Sequence, residues 1–232
     1  MTATTDAAAV PIRQAATVAL VRDGDAGLEV FMVRRTTAAV FSPGAHVFPG
    51  GALDAADRDP VLASRCDGID DAGANALLDV DGGGLGYFVA AVRECFEEAG
   101  LLLARRDGIL VDDADAYGDD RDALNTGTTT FVDVLTRHSL TLAVDLLVPF
   151  GHWITPLGPP RRFDTRFFVA PAPRAQRPAH DGWETTESLW TRPAAVLVAA
   201  DRGEVDLIEP TRHTLERLRG YASVDELFVG AR

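Results

Sequence analysis

The chain has 232 residues, 47% of them apolar, which is enough for one sizeable core and suits a single decorated domain better than two. Its formal charge is −13, a field that repels phosphodiester backbones and excludes an extended nucleic-acid surface, though not a small phosphorylated ligand whose charge a metal offsets. Two widely spaced cysteines, Cys66 and Cys95, exclude a disulfide framework, and no apolar run reaches the length of a membrane span.

Residues 1–14 are small and polar and are expected to form a tail, leaving 15–232 as one folded domain. The first ten lack the basic start and long apolar stretch of a secretory signal, so a cytoplasmic location is expected. Residues 15–22 and 28–35 are apolar, β-branched runs separated by Asp23-Gly24-Asp25-Ala26-Gly27, which predicts two strands joined by a turn. A loop with Pro43-Gly44 leads to a short segment over 47–49 and to Gly50-Gly51, paired glycines that let the backbone approach a ligand or metal. Residues 58–86 are Asp-rich, with a short helix expected near 72–78 and a flexible Asp81-Gly82-Gly83-Gly84 stretch.

The next helix carries Leu85, Phe88, Val89, Val92, Cys95, Phe96 and Ala99 on one face and Glu94, Glu97 and Glu98 on the other. Gly100 sits where a stopping helix wants a left-handed residue. Beyond it, 101–103 reads as a strand and a polar excursion runs to 125. Residues 131–137 read as a helix with N-caps available over 128–130, and His138 is a helix-end packing residue. Residues 146–155 and 165–170 read as strands flanking 156–162, and 186–190 as a short one. Residues 192–200 and 210–219 read as helices, the latter with Pro210 in its first turn. Leu215, Leu218 and Phe228 should cover a sheet face. These elements define an α/β class.

Three acids on the last turn of a helix oppose its dipole and repel one another, so a bare protein gains little from them. A hard divalent cation reverses that sign. With oxygen ligands and no His or Cys on the same face, Mg²⁺ or Mn²⁺ is the natural occupant.

The run Val47-Phe48-Pro49-Gly50-Gly51, followed by Arg93-Glu94-Cys95-Phe96-Glu97-Glu98-Ala99-Gly100-Leu101, resembles the signature of the Nudix hydrolases. The second half matches throughout. In the first half the expected Glu is Asp57, and Arg93 arrives 28 residues later than the family spacing would put it, so 58–86 is an insertion inside the signature. Pinned at both ends to the motif, it is expected to border the mouth of the site. The resemblance implies an α/β/α sandwich around a mixed sheet with this insertion before the catalytic helix. It implies hydrolysis of a small-molecule diphosphate, with Glu94, Glu97 and Glu98 as metal ligands and the Gly51 carbonyl and Asp57 as further candidates. Arg93 becomes a positioning residue that pairs with an acid of the site. The general base usually lies outside the signature in this family; Glu184 and Glu187 are the candidates here. Neither a membrane nor a nucleic-acid partner is expected, and a homodimer is compatible with the reading.

Arg35-Thr36, Gly44 and the run to Gly51, with Trp153-Ile154-Thr155-Pro156 and Arg162-Phe163-Asp164-Thr165 later, resemble the coenzyme A diphosphatase-like branch, the peroxisomal mammalian type with a long insertion. The Leu and His expected between the Arg and the Gly are Ala39 and Ser42. The final Gly230-Ala231-Arg232 is no peroxisomal address. Coenzyme A carries a diphosphate and a separate ribose phosphate, for which Arg34, Arg35, Arg161 and Arg162 are the candidate partners. The alternatives are hydrolysis of NADH, ADP-ribose or another nucleoside diphosphate derivative, and a catalytically silent ligand-binding module.

Overall fold

The computed structural model describes residues 10–39, 42–182 and 184–230. Residues 1–9 of the expected tail, Phe41 of the coenzyme A-like segment, and Ala231 and Arg232 lie outside the described residues. The strand β1 (Ile12–Gly24) and β2 (Gly27–Arg35) form the predicted hairpin, followed by β3 (His46–Val47) and β4 (Gly50–Ala52). The insertion holds helices α1 (Pro60–Ala63) and α2 (Asp71–Leu78), and leads into the acidic helix α3 (Leu85–Ala99). Then come β5 (Ala104–Arg106), β6 (Ile109–Leu110), α4 (Gly118–Asn125), α5 (Phe131–Arg137) and β7 (Leu140–Leu142). The chain finishes with β8 (Val148–Ile154), β9 (Arg162–Pro171), β10 (Thr185–Thr191), α6 (Pro193–Asp201), α7 (Glu209–Leu218) and α8 (Val224–Gly230).

The main sheet runs β10-β2-β1-β9-β8, with β3 on β2 and β4 on β1. Only the β1–β9 pairing is parallel among these ladders; β1 meets β2 and β4, and β8 meets β9, in antiparallel fashion. Because side chains alternate along a strand, each long strand feeds two cores. On one face Leu20, Phe31, Phe88, Phe96 and Phe168 pack with α3 in a single cluster. On the other, Val21, Met32, Val169, Leu197, Leu215 and Leu218 pack the sheet against α6 and α7, with Leu227 of α8. Phe88 and Phe168 meet with ring centroids 4.6 Å apart, which fastens α3 to the central strands. The result is the α/β/α sandwich expected of the sequence, and among the described residues no helix is long and apolar enough to cross a membrane.

The structure departs most from the sequence reading in three places. β1 begins at Ile12, so residues 12–14 belong to the sheet, where they pair with 162–164 of β9. Leu101, Leu102 and Leu103 are fully buried but form no strand; strand structure starts at Ala104, in a separate small sheet of order β6-β5-β7. The side chain of Gln176 serves Leu102 as a strand neighbour would, accepting from its N–H at 2.8 Å and donating to its carbonyl at 3.0 Å. The polar excursion contains α4 and two strands that its composition hid.

The insertion is folded against the body. Asp71 of α2 accepts from the Leu85 N–H at 3.1 Å, and Asn75 accepts from the Gly84 N–H at 2.7 Å. Gly84, the N-cap of α3, offers no side chain to do this itself. Two side chains from α2 therefore satisfy N–H groups that the start of a helix leaves orphaned.

Candidate active site

α3 stops at Gly100, whose φ of 65° is the left-handed conformation that suits glycine. Arg93 is 7% exposed and lies at the centre of the acidic cluster. Its Nε and Nη2 donate to the two carboxylate oxygens of Asp57 at 2.8 and 3.0 Å, and Nη1 donates to Glu94 and Glu97, both at 2.8 Å. A further Nη2 bond, 3.2 Å, reaches the Ala52 carbonyl. Asp57, only 3% exposed, is thus a buried, bidentate partner of Arg93, and the shorter acid reaches across the insertion.

Glu98 is 4% exposed and accepts from the Gly50 N–H at 3.0 Å. Gly51 lies against Glu94: a Cβ there would fall 2.5 Å from Oε1, so any side chain at this position would have to displace the carboxylate. Burial pushes the Glu94 carboxyl up to about 7, with Arg93 opposing and Glu97 adding to the rise. Glu98 is driven well above the ordinary carboxylate range by burial first and by the charge of Glu94 second, against the Gly50 hydrogen bond. Glu97 moves in the same direction, again through burial.

Among the described residues no three carboxylates, imidazoles or thiolates converge on one point. The reason is local, since Glu94 and Glu97 are both drawn to Nη1 of Arg93 and Glu98 faces the Gly50–Gly51 turn. The partly buried Glu94 nevertheless adds its charge to the cost of the buried Glu98, beside backbone that a side chain would obstruct. An oxygen-only donor set of this kind fits a hard divalent cation.

Beside this cluster lies a cavity of about 490 Å³, lined by Gly50, Gly51, Glu94, Arg13, Arg35 and Arg161, with Trp153, Phe163 and Phe167 among its aromatic walls. Glu184 also lines it, and its charge contributes to the raised Glu98 pKa. Glu187 does not: it is exposed on β10 and pairs at 2.9 Å with Arg34, which is likewise absent from the lining. Arg162 spends its Nε on the Thr155 carbonyl at 3.0 Å and holds the β8–β9 loop rather than the cavity. Of the four candidate arginines the structure therefore brings Arg35 and Arg161 to the cavity. Arg13 was missed because its position fell in the expected tail. No residue of 58–86 lines the cavity, contrary to the expectation that the insertion borders its mouth; α2 is occupied with the far end of α3.

An α/β/α sandwich that carries the Arg-Glu-x-x-Glu-Glu helix beside a Gly-Gly turn defines a protein of the Nudix class. The model described as the NUDT19 Nudix domain matches residues 70–218, and the chain belongs to this family of Nudix hydrolases. It is similar to the human protein named acyl-coenzyme A diphosphatase NUDT19, with 27% identity over 87% of this chain and 63% of that one. It is also similar to the putative nudix hydrolase 7 of Caenorhabditis elegans, with 30% identity over 82% of this chain and 55% of the other. The chain thus spans somewhat under two thirds of the length of these relatives. The crystal structure of a NUDIX hydrolase from Alicyclobacillus acidocaldarius superposes with a TM-score of 0.79 at 31% identity, covering 93% of this chain and 95% of that one.

Proposed function

We propose that this chain hydrolyses the diphosphate of coenzyme A or its acyl forms, releasing 4′-phosphopantetheine, free or acylated, and adenosine 3′,5′-bisphosphate. The observation that carries the reading is the composition of one cavity: acids and a glycine turn for a diphosphate, three arginines for a further phosphate, and aromatic walls for an apolar arm. The likeness to a relative named acyl-coenzyme A diphosphatase supports it.

Glu94, Glu98 and the Gly51 carbonyl would hold Mg²⁺ or Mn²⁺, with Glu97 joining if it leaves Arg93; the bound metal neutralises diphosphate charge and activates water. Arg93, its donors committed inside the protein, fixes the rotamers of Glu94 and Glu97 and does not touch substrate. Glu184 is the base that takes the proton of the attacking water, since of the acids that line the cavity outside the helix (Asp54, Glu184 and Glu209) it is the one whose charge bears on Glu98. Arg13, Arg35 and Arg161 bind the ribose 3′-phosphate by charge-assisted hydrogen bonds. Trp153 and Phe163 receive the pantetheine arm.

The test is a panel of coenzyme A, an acyl-coenzyme A, dephospho-coenzyme A, NADH and ADP-ribose, each with Mg²⁺ or Mn²⁺. Coenzyme A or its acyl form should show the highest kcat/KM, and dephospho-coenzyme A should lose about tenfold or more, the value of about 1.4 kcal/mol from one lost phosphate contact. A clear preference for NADH or ADP-ribose would overturn the substrate and leave the diphosphatase; no turnover of any member would overturn the enzyme.

A further inference from the structure

We infer that Arg121, on a helix outside the Nudix signature, is a positioning residue that sets the catalytic helix against the segment bearing Glu184; this rests on the proposed role of Glu184.

The last carbonyls of a helix have no partner within it. That of Glu97 accepts from Arg121 Nε at 3.0 Å, with Asn125 Nδ2 at 3.4 Å beside it, both from α4. The same guanidinium donates from Nη2 to the Ala179 carbonyl at 2.8 Å. Ala179 in turn donates its N–H to the Ala99 carbonyl at 2.9 Å, closing a ring through the final turn of α3. The guanidinium also lies against Gly100, where a Cβ would come within 3.0 Å of Nη1. One planar cation thus joins the C-terminal end of α3, where its charge suits the helix dipole, to residue 179.

From 179 the chain reaches Glu184 in a few residues, and that stretch is held at its other end. Asp181 accepts from the Thr185 N–H at 2.9 Å and from its hydroxyl at 2.8 Å, and the Glu184 carbonyl accepts from the Thr36 N–H at 2.8 Å. Arg121 and the neighbouring Ala179–Ala99 bond both fasten this stretch to the acidic helix. The spacing between the Glu94–Glu98 pair and Glu184 is therefore set in part by a residue that bonds to neither side chain. A single Lys cannot reproduce the span, because its ammonium is a point donor and two carbonyls must be bridged.

The test compares Arg121→Met and Arg121→Lys with the wild type on coenzyme A, together with amide exchange of the intact proteins. Arg121→Met should lose about 10- to 100-fold in kcat with KM changed by less than about twofold, as expected for misplacing a reacting group rather than losing a binding contact. Arg121→Lys should recover part of that loss, and exchange should quicken over residues 179–185 in the Met variant. Wild-type kcat and exchange in Arg121→Met, or a loss confined to KM, would overturn the inference. If Arg121→Met does not fold, Arg121→Lys alone decides through the same kcat and exchange readings. If the wild type turns over nothing, the proposed function has failed; exchange over 179–185 still decides whether Arg121 fastens the segment, unchanged exchange overturning it.

Discussion

At Glu98 two opposing demands meet. The side chain is buried beside another carboxylate, which is costly in a bare protein, yet that same crowding gives a divalent cation something to neutralise. Replacing it by Gln keeps an oxygen that can accept from the Gly50 N–H and removes the charge. We expect Glu98→Gln to lose about 100-fold or more in kcat, about 3 kcal/mol of transition-state stabilisation, while the metal-free variant melts above the wild type. Steady-state turnover and a thermal melt of the same preparation read both; a folded variant with undiminished turnover would sink the ligand assignment. Arg93 shows the limit of reading such roles from spacing. Its pairing with an acid of the cluster was legible, but the bidentate partner is Asp57, which sits across the insertion, and spacing alone left it open whether that acid supported the helix.

The strands and helices with plain periodicity were legible as elements: the first hairpin, α3, α5, α6 and α7 follow their apolar patterns, whereas the short α8 was not read as a helix. Leu101 to Leu103 failed because an apolar run reports burial, and a buried segment served by Gln176 needs no strand partner. The insertion was misplaced for a related reason. Its ends were visible, but which orphan N–H groups its side chains would satisfy depends on packing, and Asp71 and Asn75 cap α3 at the end away from the chemistry. At the level of this element Asp71→Ala should cost about 1–2 kcal/mol of stability with little change in substrate preference. The Leu85 N–H bond holds the Asp71 carboxyl below its usual pKa, so its contribution is present at neutral pH and lost as pH falls through the lowered value. Urea unfolding should show the gap between wild type and variant narrowing from pH 7 towards 3; a gap independent of pH would argue against the cap.

The whole molecule carries the charge of the cluster as a pH dependence. A carboxyl whose pKa is higher folded than unfolded binds more protons when folded, so it lowers stability as pH rises between the two values. Glu94 is raised to about 7, and Glu97 and Glu98 are raised with it. The metal-free protein should therefore lose stability from about pH 5 to about pH 8, more steeply than Glu98→Gln. Divalent metal at about 100 times its Kd should add about 2.7 kcal/mol, or about 5–11 °C in Tm at pH 8. Melting curves with and without Mg²⁺ across that range check it, and equal slopes for the two proteins would contradict the linkage.

The parallel ladder between β1 and β9 bears on how the chain becomes a protein at all. Ile12 pairs with Arg162 and Val21 with Pro171, so every rung joins residues about 150 apart. During synthesis the first hairpin, β4 and the acidic helix emerge long before their central neighbour exists, and β1 must wait with one edge exposed. Contacts so distant in sequence are formed late and slowly. A ribosome paused or a gene truncated before β9 would release a nascent chain carrying the entire Nudix signature and an open strand edge, a species that should stick to other such edges rather than hydrolyse anything.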